Sequence, residues 1–433
     1  MQRKSKYIKM DKSDCRYNLY INILREELVP AMGCTEPICL AYAAAKAREV
    51  LGTLPNKVDI LASGNIIKNV KSVIVPNTNG MKGLKASVAI GIIGGNPDKE
   101  LEVIANVTAE QKQETKQFLD TTPMNITHIE SEEQLDVTVK VYNDEHSASV
   151  RISGFHTNIV HIQKDDTTLF KSNTISKPSK ELTDRSILSM EGIYDFANNV
   201  DINDVKDILE RQLKYNKAIS DEGLKNDWGA NIGSLLLSNY GNDVKIKAKA
   251  WAAAGSDARM NGCEMPVIIN SGSGNQGITV SMPVLAYAKE YNINEEQIYR
   301  ALCVSNLTAI HQKTLIGRLS AYCGAISAGC AAACGVAYLL GEDLETISKT
   351  LTNSLAITSG IICDGAKASC AAKIATAVES GLMGYYMCKN KKNFCDGDGI
   401  IGIGVEKTIK NIGTLASKGM RETDKVIIGI MTE

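Results

Sequence analysis

The chain has 433 residues, 44% of them apolar and 22% charged, with a formal net charge of −1. This length supports two or three domains with cores of their own, and the balanced charge offers no field to draw nucleic acid or an anionic membrane. The charged start, Met1 to Asp14, has no apolar stretch and does not read as a secretory signal, so a cytoplasmic protein is expected. Residues 17–29 place Tyr17, Tyr20, Leu24 and Leu28 on one helical face. A second helix follows Gly33-Cys34-Thr35-Glu36-Pro37, where Thr35 suits the N-cap, Pro37 the first turn and Gly52 the stop. Strands are expected at Lys57–Ser63, Val70–Val75, Leu101–Val107, Val137–Val141, Ser147–Ile152 and Asn158–Gln163. Val137, Val139 and Val141 alternate with polar residues as a half-buried strand requires. Thr108–Leu119 reads as a surface helix, and Gly83–Ile93 fits strand or helix.

The polar run Lys171–Lys180 has linker composition. Beyond it strand patterns nearly vanish. Helices are expected at Leu182–Ala197, Val205–Ala218, Asp243–Ala254, Glu295–Val304, Leu319–Leu340, Leu344–Leu355, Gly365–Met387 and Val405–Leu415. The expected architecture is an α+β N-terminal domain, residues 1–172, followed by a mostly α-helical C-terminal domain, residues 173–433, with a buried Ala/Gly/Cys-rich central helix. That helix, Leu319–Leu340, is 22 uncharged residues, long enough to span a bilayer. Its Ala, Gly, Ser and Cys content lacks the Leu, Ile and Phe that drive insertion, so a buried core helix is expected and no membrane span.

Twelve cysteines in a cytoplasmic chain are buried small hydrophobes, metal ligands or nucleophiles rather than disulfides. No Cys-x-x-Cys occurs, which argues against a zinc ribbon, a thioredoxin pair and a ferredoxin-type run. Any metal site therefore draws its ligands from separated segments. Cys323, Cys330 and Cys334 share one face of the expected helix, but Cys323 and Cys334 would lie roughly 16 Å apart along its axis. One cluster cannot easily reach both, and free cysteine is commonly a small core residue. Cys363 ends an apolar run before an Asp364-Gly365 turn, and Cys370 follows on the first turns of the next helix. Two thiolates near a helix N-terminus, or a capped helix with two incidental cysteines, both fit that spacing. Cys34 stands just before a helix, where a thiol is expected to be partly ionised and to serve as ligand, base or nucleophile; a plain loop cysteine fits as well. Cys15, Cys39, Cys263, Cys303, Cys388 and Cys395 have no comparable context.

Ser271–Gly277 contains Gly-x-Gly-x-x-Gly after the apolar run Val267–Ile269. The β-α-β context of a dinucleotide fold is missing and Pro283 is expected to interrupt the helix, so a loop whose amides hold a carboxylate or phosphate is the better reading. Asn77–Gly83 is a second such loop, with Lys82 able to pair an anion, or a plain turn. Of five histidines, His156 alone is flanked by turn-forming polar residues. No Gly-x-Ser-x-Gly and no His-Glu-x-x-His is present.

Three separated pieces together resemble one family. Gly33-Cys34-Thr35-Glu36-Pro37, Arg318-Leu-Ser-Ala-Tyr-Cys323-Gly-Ala, and Gly360-Ile-Ile-Cys363-Asp-Gly-Ala-Lys with Cys370 are similar to the iron–sulfur L-cysteine desulfidases, relatives of the oxygen-sensitive L-serine dehydratases. The resemblance runs over nearly the whole chain. It implies an α+β substrate domain and a helical domain holding a [4Fe–4S] cluster on Cys323, Cys363 and Cys370. It places Thr35, Asn79 and Lys82, and Ser271, Gly272, Ser273 and Asn275, near the substrate. The last two ligands are closer together than in the serine enzymes, and Cys34 stands where those have a histidine before the threonine; both features point to the desulfidase branch. The implied reaction is β-elimination of L-cysteine, or of L-serine, with an open iron as Lewis acid on the leaving group. Cys34 is the expected base with His156 in reserve, the glycine loops hold the carboxylate, and pyruvate, ammonia and sulfide are the products. A small amino-acid substrate and a homodimer are the implied partners, with no nucleic acid and no membrane. A pyridoxal-phosphate lyase and a non-enzymatic iron–sulfur redox sensor are the rival readings; no Schiff-base lysine setting and no basic DNA-reading element is evident.

Overall fold

A computed structural model describes residues 10–172 and 182–432. Of the linker segment Lys171–Lys180, residues 173–180 lie outside the described residues, as do residues 1–9 of the charged start. The first half runs α1 (Cys15–Glu27), β1 (Pro30–Met32), α2 (Thr35–Leu51), β2 (Lys57–Ser63), α3 (Gly64–Val70), α4 (Gly83–Gly94), α5 (Ala109–Thr121), β3 (Met124–Ile129), β4 (Asp136–Tyr142), β5 (Ser147–Ser153), β6 (Ile159–Lys164) and β7 (Thr167–Lys171). Six of these strands form one sheet in the order β3-β2-β4-β5-β6-β7, with β2 and β3 parallel and the other pairs antiparallel. Register stacks Ile60, Val139 and Val150 across three strands, and all are fully buried. The alternation of Val137, Val139 and Val141 thus faces the core, where α2 lies against β4 and β5 and under α4.

The second half runs α6 (Met190–Asn199), α7 (Lys206–Lys225), α8 (Ile232–Tyr240), α9 (Val244–Met260), β8 (Pro266–Ile268), α10 (Gly274–Glu290), α11 (Glu295–Ile316), α12 (Gly324–Leu339), α13 (Leu344–Thr358), α14 (Cys370–Lys389), α15 (Gly404–Thr414) and α16 (Arg421–Thr432). The α+β arrangement followed by helices is as expected. The buried Ala/Gly/Cys-rich central helix is α12, packed on α10, α11, α13 and α14. It has 16 residues, and among the described residues no helix is long and apolar enough to cross a membrane.

Several expectations need correction. Val70–Val75 is not a strand: Val70 ends α3, and Val73 and Val75 are buried side chains of a loop. Leu101–Val107 forms the end of a 3-10 helix and the turns that follow it. Short apolar runs carry no period that separates strand from buried loop. The ambiguous Gly83–Ile93 is helical in α4. The helix expected from Leu182 begins only at Met190, where Ser189 accepts from the Gly192 amide. Those expected from Leu319 and Gly365 begin at Gly324 and Cys370. Pro283 does not interrupt α10 but sits buried inside it. β3, β7, α8 and α16 carry no pattern that foretells them.

Two cross-links tie the halves together. β1 pairs antiparallel with β8, so Pro30 stands opposite Ile268 and Met32 opposite Pro266. The α1 side chains Tyr17 and Tyr20 stack on Phe196 of α6 at 5.8 and 5.2 Å, and the Tyr17 hydroxyl donates to Asp204 at 2.7 Å.

Candidate active site

β1–β8 pairing sets two turns side by side: Gly33–Pro37, leading into α2, and Ser271–Gly277, leading into α10. Gly33 has φ +64°, and a Cβ there would meet Pro76 Cγ at 2.2 Å, so the chain can turn only as glycine. The Thr35 hydroxyl then donates to the Gly272 carbonyl at 2.9 Å, closing one turn on the other. Opposite them, segments 321–323 and 361–363 meet in a short antiparallel bridge, with Cys363 N donating to Ala321 O and Cys323 N to Ile361 O. The bridge brings together two cysteines forty positions apart. Cys370, which starts α14, packs with Cys34, Val73 and Met260 in one small cluster.

A cavity of about 110 Å³ results, lined by Cys34, Glu36, Arg259, Cys323, Cys363 and Cys370 among others. Four helices open onto it with their N-termini: α2 after Cys34, α10 after Ser273, α12 after Cys323 and α14 at Cys370. In none of the four does the N-cap side chain accept an amide. By contrast Asp14, Ser189, Asp243, Asn294 and Asp343 each cap helices elsewhere. Uncapped N-termini carry free N–H donors and the positive end of the helix dipole, so their convergence favours an anionic occupant. Lys313, buried beside Cys323 and Cys363, adds a cation that burial pulls down to about 8.

Glu36 is the acidic centre of the site. Its Oε2 accepts the Cys34 thiol at 3.0 Å and lies 3.2 Å from the Thr35 hydroxyl oxygen, whose one proton the closer Gly272 carbonyl takes, and its Oε1 accepts Asn69 Nδ2 at 3.1 Å. His156, from the turn between β5 and β6, stands behind it with Nε2 at 3.8 Å from Oε1. Burial opposes ionisation of Glu36, but His156 and the Cys34 thiol outweigh it and hold the carboxyl at about 2. The opposite holds for Cys34. It, and not Thr35 as expected, occupies the helix N-cap, yet burial first and the Glu36 carboxylate second push its thiol well above the ordinary value. The expected partial thiolate is therefore a thiol that donates to Glu36, because desolvation exceeds the dipole's help.

The other foreseen residues separate into two groups. Cys34, Ser273, Asn275, Cys323, Cys363 and Cys370 line the cavity; Thr35, Ser271, Gly272 and His156 lie directly behind its wall. Asn79 and Lys82 are exposed and do not line it. Asn77 in that loop instead anchors the Ile104 carbonyl at 2.7 Å. Cys330 and Cys334 are buried inside α12, their sulfurs near Thr358 Oγ1 and the Ile347 carbonyl. Glu36 and Arg259 were missed. The first reads as an ordinary acid in a first turn and the second as a basic last-turn residue of an alanine-rich helix.

Among the described residues no three His, Cys, Asp or Glu side chains gather closely enough to hold a single ion. A multi-iron cluster is larger than an ion, and three cysteines spaced around a cavity edged by helix N-termini fit its thiolate chemistry. Burial pushes the Cys323 thiol up to about 12 and Cys370 up as well, so ionisation there has to be driven by coordination.

Comparison with known proteins gives two findings. The family described as serine dehydratase alpha chain matches residues 98–429. A UPF0597 protein of Desulfitobacterium hafniense is 54% identical over 98% of both chains. UPF0597 proteins of Lachnoclostridium phytofermentans and Finegoldia magna are 52% and 49% identical, each over 96% of this chain and 99% of its own.

Proposed function

Because the chain belongs to the serine dehydratase alpha chain family, we propose that it is a cytoplasmic lyase that eliminates the β-substituent of L-cysteine, with a [4Fe–4S] cluster on Cys323, Cys363 and Cys370. The observation that carries this reading is the meeting of those three cysteines and four helix N-termini on one cavity. When bound, the cluster supplies an iron without a protein ligand, a Lewis acid for a thiol or hydroxyl leaving group.

The chain's own residues handle the proton. Cys34 Sγ faces the cavity and its hydrogen already points to Glu36 Oε2. The proton leaving Cα goes to Cys34 Sγ as the thiol proton passes to Glu36. The Cα–H electron pair becomes the Cα=Cβ bond, the Cβ–S bond breaks, and its pair leaves with sulfur as sulfide. The aminoacrylate so formed takes up water and gives pyruvate and ammonia. His156 does not line the cavity, and it acts as a positioning residue on Glu36. The α10 N-terminus, with Ser273 and Asn275, orients the substrate, and wall residues exclude water.

A second reading, dehydration of L-serine, is favoured by the family description and uses the same residues. The deciding experiment is purification without oxygen, iron and sulfide analysis, and pyruvate assay with L-cysteine and with L-serine. The expected result is iron bound to the chain and faster pyruvate release from L-cysteine. Iron-free protein without turnover overturns the reading, and a Cys363→Ser variant that keeps cluster and activity overturns the ligand assignment.

A further inference from the structure

We propose that the Arg259 guanidinium is the receptor for the substrate's α-carboxylate and thereby restricts this cavity to amino acids rather than amines. The identity of that carboxylate rests on the lyase reading; the existence of an anion seat does not. Arg259 ends α9 and is 2% exposed. Its Nη1 donates to the Asn275 side-chain oxygen at 3.0 Å, a neutral partner, and its Nε is buried with no hydrogen-bond partner among the described residues. A guanidinium carries five N–H donors. Burying it with donors unmatched is costly even with the Glu36 charge acting through space, so an anion that takes those donors is favoured.

The neighbouring charges do not fill this need. The oxygens of Glu36 are taken by Cys34 and Asn69. Of the other cations on the cavity wall, Arg318 pairs with Glu27 at 3.1 Å and stacks on Phe155 at 4.4 Å, while Lys313 stands against Cys323 and Cys363. Among the described residues Arg259 is thus a cavity cation with donors left for a ligand, and its planar fork sets it apart from Lys313. Gly274 explains its placement: a Cβ there would lie 2.3 Å from Arg259 Nε. The bare backbone lets the guanidinium sit against the first turn of α10, whose free amides can share the same carboxylate. The planar fork matches a carboxylate two bonds at a time, which an ammonium cannot do. Arg259 lines the same cavity as Cys34 and Glu36, so a substrate anchored on it sits in the space those two residues border.

The test uses L-alanine, which has the carboxylate and no leaving group, titrated by calorimetry into the anaerobically purified full chain. Wild type is expected to bind L-alanine and not its methyl ester. Arg259→Gln is expected to weaken L-alanine binding about 100-fold and raise KM for L-cysteine similarly, with iron and sulfide per chain unchanged, and Arg259→Lys to fall between. Unchanged L-alanine affinity in Arg259→Gln overturns the assignment, as does loss of iron in Arg259→Lys, which would place Arg259 with the cluster. Equal binding of acid and ester by wild type overturns it without any variant. Arg259-dependent binding of L-alanine by a protein that turns over neither L-cysteine nor L-serine would sink the lyase reading and leave the anion seat standing.

Discussion

Glu36 holds a charge that burial alone would refuse, and the reason lies in His156 first and the Cys34 thiol second. Its folded value of about 2 is below the ordinary ~4.3 of a free glutamate. Above that ordinary value both folded and unfolded chains are ionised and the full contribution is present. As pH falls from about 4.3 toward 2 the unfolded chain takes the proton first, and stability on the order of 3 kcal/mol is lost. Denaturant titrations across that range are expected to show the decline in wild type and a flatter profile in Glu36→Gln. The same variant removes the acceptor of the Cys34 proton, so turnover should fall by about 10²–10⁴ with iron retained. Cysteine roles are separable as well. Cys330→Ala and Cys334→Ala are expected to keep their iron and lose about 1 kcal/mol, whereas Ser at 323, 363 or 370 should lose iron. Spacing had put Cys323 in one stripe with Cys330 and Cys334. The difference is that α12 starts one residue later than Cys323, which frees that sulfur from the helix face.

Helix contacts set where the sulfurs lie. α12 and α14 carry Cys323 and Cys370 at their starts and cross at glycines: a Cβ on Gly381 would meet the Gly329 carbonyl at 2.6 Å. Gly381→Ala is expected to push the helices apart, cost about 1–3 kcal/mol, and reduce iron per chain, measured by thermal unfolding and iron assay. A second device acts from the other end of the chain. Asp424 of α16 accepts Lys68 at 2.6 Å and Asn65 at 2.8 Å, and Lys68 is 1% exposed. Gly365, in the loop between Cys363 and Cys370, lies so close to the Lys68 carbonyl that a Cβ would stand 2.2 Å from it. Asp424→Ala leaves a buried ammonium unpaired, so a loss of about 3–5 kcal/mol is expected in urea titrations, together with a looser cysteine loop. α16 was not foreseen, because Arg421–Thr432 mixes charge and apolar residues at the end of the chain without a cap signal.

At the scale of the whole molecule, the cavity draws on both halves: Cys34 and Glu36 from α2 and Arg259, Cys323, Cys363 and Cys370 from the helices, with His156 behind the wall from the turn after β5. A cluster bound there links α12, α14 and the loop before it, so iron removal by chelation is expected to lower the unfolding temperature of the entire chain, not of one half. A chelated protein with an unchanged unfolding temperature would count against three protein ligands. Much of the frame was legible. Lys57–Ser63 and Val137–Val141 alternate with period two, and α7, α9, α11 and α13 follow their helical period. By itself the sequence determined the α+β-then-helical order and the glycine turns, and by resemblance it singled out three cysteines that prove to line one cavity. Only the tertiary structure decided that Glu36 and Arg259 belong with them, that Cys34 is a thiol rather than a thiolate, and that Asn79 and Lys82 stand apart. The physical reason is that periodicity reports which face of an element is buried, whereas charge state and shared cavities depend on what other elements bring to that face.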